Sequence, residues 1–144
     1  MKKFCLTLIF SLLVIFASMA YAQTGSIYVE ILEISDPKGY MSIGLYSDEK
    51  GFPDKKKAYK GKNVEVTGKT VVYTFKNIPL GDYAIAIFHD TNSNGKLDKN
   101  IFGIPKEGYA FSKNVFGALG SSPSFKDASF RLEGNKKLKI KIVY

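Results

Sequence analysis

Asp90, Asn92, Asn94 and Asp98 place side-chain oxygens at alternate positions of one short loop, Asp90-Thr91-Asn92-Ser93-Asn94-Gly95-Lys96-Leu97-Asp98. Alternate oxygens around a glycine that permits a sharp turn are how a loop wraps calcium, a hard cation that takes about six to eight oxygen ligands. In that reading Asp90, Asn92 and Asn94 supply side-chain oxygens, Lys96 supplies its backbone carbonyl, and Asp98 binds directly or through water. The twelfth place, a bidentate glutamate in an EF-hand, is Ile101, so the cage needs another ligand. Glu107 can close it from the following loop, with Asn100 or a backbone carbonyl as alternatives. With two or three carboxylates set among Lys96, Lys99 and Lys106, the expected dissociation constant is roughly 10⁻⁴ to 10⁻³ M, the range of extracellular modules. The competing reading is a plain Asn94-Gly95 turn whose Asx side chains cap the backbone.

Other chemistry is sparsely signalled. His89 is the only histidine and has no cysteine or second histidine to work with, so it is expected to pack and hydrogen-bond beside the loop. There is no Gly-x-Ser-x-Gly elbow and no glycine-rich phosphate loop ahead of a lysine and helix. A small hydrolase using carboxylates near Asp90, Asp98 and Glu107 is the enzymatic alternative. Lys55-Lys56-Lys57, with Lys60 and Lys62, reads as a solvated basic loop, or as a patch for anions or a membrane surface. Phe102, Tyr109, Phe111, Phe116 and Phe125 follow the loop and are expected to form a lid that completes the core; a ligand groove is the alternative.

The chain opens like a secretory signal. Lys2 and Lys3 precede an apolar stretch from Leu6 to Phe16 and a small-x-small site at Ala20-Tyr21-Ala22, so the mature chain is expected to start at Gln23. That apolar stretch is shorter than the roughly 20 residues of a spanning helix. Cys5 is the only cysteine and precedes the apolar stretch, so it is no lipid acceptor and leaves with the signal. Thiol metal sites and disulfides are thereby excluded from the mature chain.

Taking 22 residues from 144 leaves 122, one ordinary domain at 23–144. Losing Lys2 and Lys3 takes the formal charge from +8 to +6. Arg131 is the only arginine, which speaks against nucleic-acid readout. The expected partner is instead a glycan, peptide or anionic polymer of the cell envelope, met in a periplasm or outside the cell.

The elements that must hold the loop are strands. Ser26 to Ile34 and Tyr40 to Tyr46 alternate, and Asp36-Pro37-Lys38-Gly39 between them predicts an antiparallel hairpin. Gly51 to Gly61 lacks a period and is expected to cross between sheets. Val64 and Val66 resume the alternation, and Thr70 to Phe75 forms another strand. Asp82 to His89 carries Tyr83, Ile85 and Ile87 on one face and Ala84, Ala86 and Phe88 on the other, which predicts a central strand buried on both sides. Ala128 to Leu132 and Leu138 to Tyr144 complete about seven strands, joined through the hairpin-type pair Gly134-Asn135. Outside the leader no segment carries helical periodicity. The fold class is an antiparallel β-sandwich with a long loop after its central strand. An outer-membrane barrel is disfavoured, because few strands approach the roughly 10 residues that lipid requires.

Asn77-Ile78-Pro79-Leu80-Gly81-Asp82-Tyr83 resembles the turn-into-strand signature of prealbumin-like sandwiches. Together with the run Phe102 to Ser112 and the closing Pro123 to Phe130, it makes the chain similar to the exported bacterial family called domain of unknown function 2141. The resemblance spans essentially the whole mature chain and implies the sandwich fold and export, with no activity attached.

Overall fold

Ile27, Val29 and Ile31 alternate with more exposed residues along the first strand, β1 (Thr24–Leu32), and all three are fully buried. The computed structural model describes residues 23–118 and 121–144, so the signal at 1–22 lies outside the described residues. β1 is the middle of a three-stranded sheet. It pairs antiparallel with β4 (Val71–Pro79) and parallel with β8 (Lys136–Lys141). The second sheet runs in the order β3 (Lys60–Glu65), β2 (Tyr40–Tyr46), β5 (Gly81–Asp90), β6 (Tyr109–Phe111). β7 (Phe130–Leu132) joins the other end of the same β5 edge, opposite Gly81 to Tyr83. The sheets close over one core drawn from β1, Met41, Ile43 and Leu45 of β2, Ile85 and Ile87 of β5, and Phe75, Ile78, Leu132 and Ile140. The result is an all-β sandwich in which the β1–β8 pair alone runs parallel among the described residues.

β5 is the central strand, flanked by β2 on one side and by β6 and β7 on the other. Its inward face joins the main core, while Ala84 on its outward face packs with Phe111 and Ala128 in a second cluster bordered by Phe52, Ala86, Tyr109 and Phe125. Burial on both faces follows from that double layer.

Three connections differ from the expectation. β1 and β2 form no hairpin: both edges of β1 are taken by β4 and β8, and Asp36 to Gly39 carries the chain into the other sheet. The stretch 51–61 does not cross between sheets, because β2 and β3 pair with each other from Tyr40↔Glu65 to Leu45↔Lys60. It is a long connection held by its own bonds, including Asp48 accepting from the amides of Lys50 and Gly51. Gly134-Asn135 is likewise no hairpin turn. It passes from β7 to β8 in the opposite sheet, with Gly134 against Gly25 and Asn135 accepting from the Ser26 amide at 3.0 Å. The eighth strand is β6, three residues inside the stretch assigned to the lid. One helical turn, α1 (Phe125–Ala128), takes Ala128 from the expected last-but-one strand; Ser124 caps it by accepting from the Asp127 amide.

Tyr46 ends β2 and donates its hydroxyl to the Pro53 carbonyl at 3.0 Å. Burial, aided by the charge of Asp54, pushes its pKa up to about 12. Since the folded value lies above the ordinary 10.0, the native state favours the neutral phenol. The corresponding stability is complete below pH 10.0 and is lost as pH rises through about 12. Burial also raises the pKa of the Tyr83 phenol, and ultraviolet titration of tyrosinate is expected to show late ionisations of which Tyr46→Phe removes the one at about 12, together with part of the alkaline loss of stability.

Candidate functional site: the loop after the central strand

The end of β5 is fixed before the loop begins. His89 is fully buried, and its Nε2 lies 2.7 Å from the Lys38 carbonyl. A carbonyl only accepts, so Nε2 carries the proton, and Nδ1 accepts from the Tyr144 hydroxyl at 2.8 Å. The His89 amide donates to the Gly108 carbonyl at 2.7 Å. The imidazole is thus spent on clamping the strand end to the 36–39 turn and to the last residue of the chain.

Asp90 is next, 3% exposed. Its carboxylate accepts the amides of Asn94 at 2.9 Å and Gly95 at 2.8 Å, one on each oxygen. These bonds fold the loop back on its first residue, and Gly95 at φ +80° makes the turn that a side chain would resist. Asn92 and Asn94 make Asx turns, their oxygens accepting from the amides of Asn94 and Lys96. Their amide groups donate to the Asp98 carboxylate, Asn92 at 2.7 Å and Asn94 at 3.0 Å to each oxygen.

Beyond Asp98 the chain doubles back. Lys99 bridges to Pro105, the Lys106 amide donates to the Asp98 carbonyl, and Asn100 accepts from the amides of Phe102 and Ile104. That return delivers Glu107 beneath the loop, 5% exposed. One of its oxygens accepts from the amide and the hydroxyl of Thr91 at 2.9 and 2.8 Å; the other accepts from the Asp98 amide at 3.0 Å. Glu107 therefore ties the start of the loop to its end.

Asp90, Asn92, Asn94, Lys96, Asp98 and Glu107 thus belong to one hydrogen-bonded unit. Among the described residues no three acidic, histidine or cysteine side chains converge as a preformed metal cage. Glu107 meets the loop through its N–H and O–H donors. Two features nonetheless fit a cation. Asp90 and Glu107 are buried carboxylates with no basic side chain paired to them among the described residues. Asp90 uses two, and Glu107 three, of about four lone-pair positions each.

Lys55, Lys56 and Lys57 are exposed, and the first of them reaches the 90–98 loop. Lys55 Nζ donates to the Gly95 carbonyl at 3.2 Å and stands 5.1 Å from the centre of the Phe88 ring. It lines a groove of about 1380 Å³ along the outer face of the second sheet. The aromatics divide. Phe111, Tyr109, Phe116 and Phe125 pack with one another or with Phe52 in edge contacts, as a lid would. Phe102 instead is 80% exposed, on the turn where its amide donates to Asn100.

The family model for "Uncharacterized protein conserved in bacteria (DUF2141)" matches residues 29–141. The chain belongs to the DUF2141 family. The matched span runs from within β1 to the end of β8, so all of the two-sheet sandwich except the first residues of β1, together with the 90–107 unit, lies inside the DUF2141 region. No curated protein and no solved structure matches the chain.

Proposed function

We propose that this DUF2141 chain is an exported β-sandwich binding module of the bacterial cell envelope, whose 90–98 loop takes a calcium ion. The observation that carries the reading is the pair of buried carboxylates, Asp90 and Glu107, gathered with Asp98 and two asparagines in a single loop unit in which no carboxylate is ion-paired among the described residues. A cation placed there relieves like charges that are otherwise answered only by N–H and O–H dipoles. Asn92 and Asn94 are exposed at the loop surface, so their amides can turn oxygen toward the ion and join Asp98 as ligands. Lys55 on the Gly95 carbonyl sets a positive charge beside the site and holds the affinity to the weak, extracellular range. Export is proposed from the signal-like leader, and a periplasmic or extracellular home supplies the calcium.

A hydrolase is the weaker reading. Asp90 and Glu107 are buried and occupied by loop donors, so neither presents an acid to an open cleft.

An ion that binds only the native state stabilises it by RT ln(1 + [Ca]/Kd), about 1.4 kcal/mol at ten times Kd. For a domain of this size that is a rise of roughly 5 °C in Tm. Thermal melts in millimolar calcium and in chelator are expected to differ by that amount in the natural protein and to coincide in Asp90→Ala. Magnesium is expected to do little, because it holds a small octahedral shell and gives up water reluctantly. Equal melts of the natural protein in calcium and in chelator would return the loop to a plain turn.

A further inference from the structure

We propose that the groove on the outer face of the second sheet binds a long-chain fatty acid, its chain in the trough and its carboxylate among lysines at the rim. Gly44 of β2 and Ala86 of β5 are neighbours across the sheet; the Tyr46 ring lies over Gly44, and with Ala86, Phe88 and Phe111 it lines an apolar trough. At about 1380 Å³ the groove exceeds the roughly 300 to 1,000 Å³ of a compact ligand site, which suits an extended chain better than a small ring system.

The rim carries the charge. Lys55, Lys56, Lys62, Lys96 and Lys99 line the groove against a single acid, Asp54. The ion pairs among the described residues are made by other cations, Lys38, Arg131, Lys137, Lys139 and Lys141. None of the five rim lysines pairs with a carboxylate among the described residues. Lys55 brings its ammonium over the Phe88 ring, so a cation stands directly at the edge of apolar floor. Phe102 and Ile104 line the same groove while 80% and 57% exposed, and a chain lying in the trough covers them. Cations without a carboxylate partner bordering an apolar trough are complementary to one molecule carrying both an acid and an alkyl chain.

This inference stands apart from the ion reading, although Gly95 to Leu97 of the loop forms one wall of the groove. The test is therefore run in chelator, which also keeps the fatty acid soluble. Dodecanoate, titrated calorimetrically below its micelle concentration, is expected to show saturable binding of one molecule per chain, with hexanoate and inorganic phosphate at least about tenfold weaker. Ala86→Phe fills the trough and is expected to weaken dodecanoate about tenfold. The double variant Lys55→Gln with Lys96→Gln alters two exposed positions, which keeps the test decisive should Ala86→Phe fail to fold. It is expected to weaken binding about fivefold and to flatten its salt dependence. Absence of saturable dodecanoate binding overturns the proposal, as does unchanged affinity in the lysine variant or in a folded Ala86→Phe. Binding confined to phosphatidylglycerol vesicles and lost in Ile101→Ser overturns it too, and assigns the exposed turn to a lipid surface. A calcium response that survives any of these failures leaves the ion reading untouched.

Discussion

Ile87→Ala is expected to lower the unfolding free energy by about 2 to 5 kcal/mol in chemical denaturation, the cost of a buried methyl-rich side chain and the cavity left behind. Ile87 is buried on the inward face of β5, opposite Ile43 of β2, inside the main core. Strands hold it on both sides, so the surroundings have little freedom to collapse into the space. Ile101 is the matched control: it is 93% exposed on the Asn100 turn, and Ile101→Ala is expected to stay within about 0.5 kcal/mol. A small loss at Ile87 would show that β5 is not the strand around which the sandwich closes.

Gly39→Ala is expected to cost about 3 kcal/mol and to weaken calcium binding at the same time. Gly39 has φ +68°, a left-handed conformation that strains any side chain. A Cβ there runs into the Asp90 carbonyl and comes within 2.9 Å of Thr91 Cα. Both obstacles are backbone, at the point where β5 becomes the loop, so relief requires the loop to move. Gly68 has open space around it and no positive φ, and Gly68→Ala is expected to change stability by less than about 0.5 kcal/mol. If Gly39→Ala destabilises the fold while leaving calcium affinity unchanged, the 36–39 turn supports the sandwich but not the site.

The contrast between these positions explains what was legible in the sequence. Alternation in β1, β2 and β5 reports which side chains face inward, because a strand has a two-residue period, and the inward residues are the ones expected. Alternation carries no information about the neighbouring strand. The turn residues at 36–39 and 134–135 therefore read as hairpins, although each passes between sheets. The deciding contacts there are long-range: Gly25 against Gly134, Asn135 on Ser26, and Lys38 on His89. β6 is too short to show a period, and α1 is a single turn whose one local sign is the Ser124 to Asp127 capping pair.

The loop unit was legible for a different reason. Asp90, Asn92, Asn94, Gly95 and Asp98 act over a few residues, within reach of local spacing rules, and Glu107 was legible as the nearest acid able to return. The groove was not legible. Lys55 and Gly95 are brought together by the packing of two loops, and the groove is lined by residues of β2, β5 and β6 that only the sheet sets side by side.

The most direct measurement of the ion reading is equilibrium dialysis of the purified protein against radioactive calcium across the range from about 10⁻⁵ to 10⁻² M. One calcium per chain is expected, with a half-saturation of roughly 10⁻⁴ to 10⁻³ M. That binding is expected to be lost in Asp90→Ala and to weaken in Glu107→Gln, whose amide cannot accept from both Thr91 and Asp98. Calcium bound with the same stoichiometry and affinity by the natural protein and by Asp90→Ala, or no calcium bound at all by the natural protein, would contradict the ion reading.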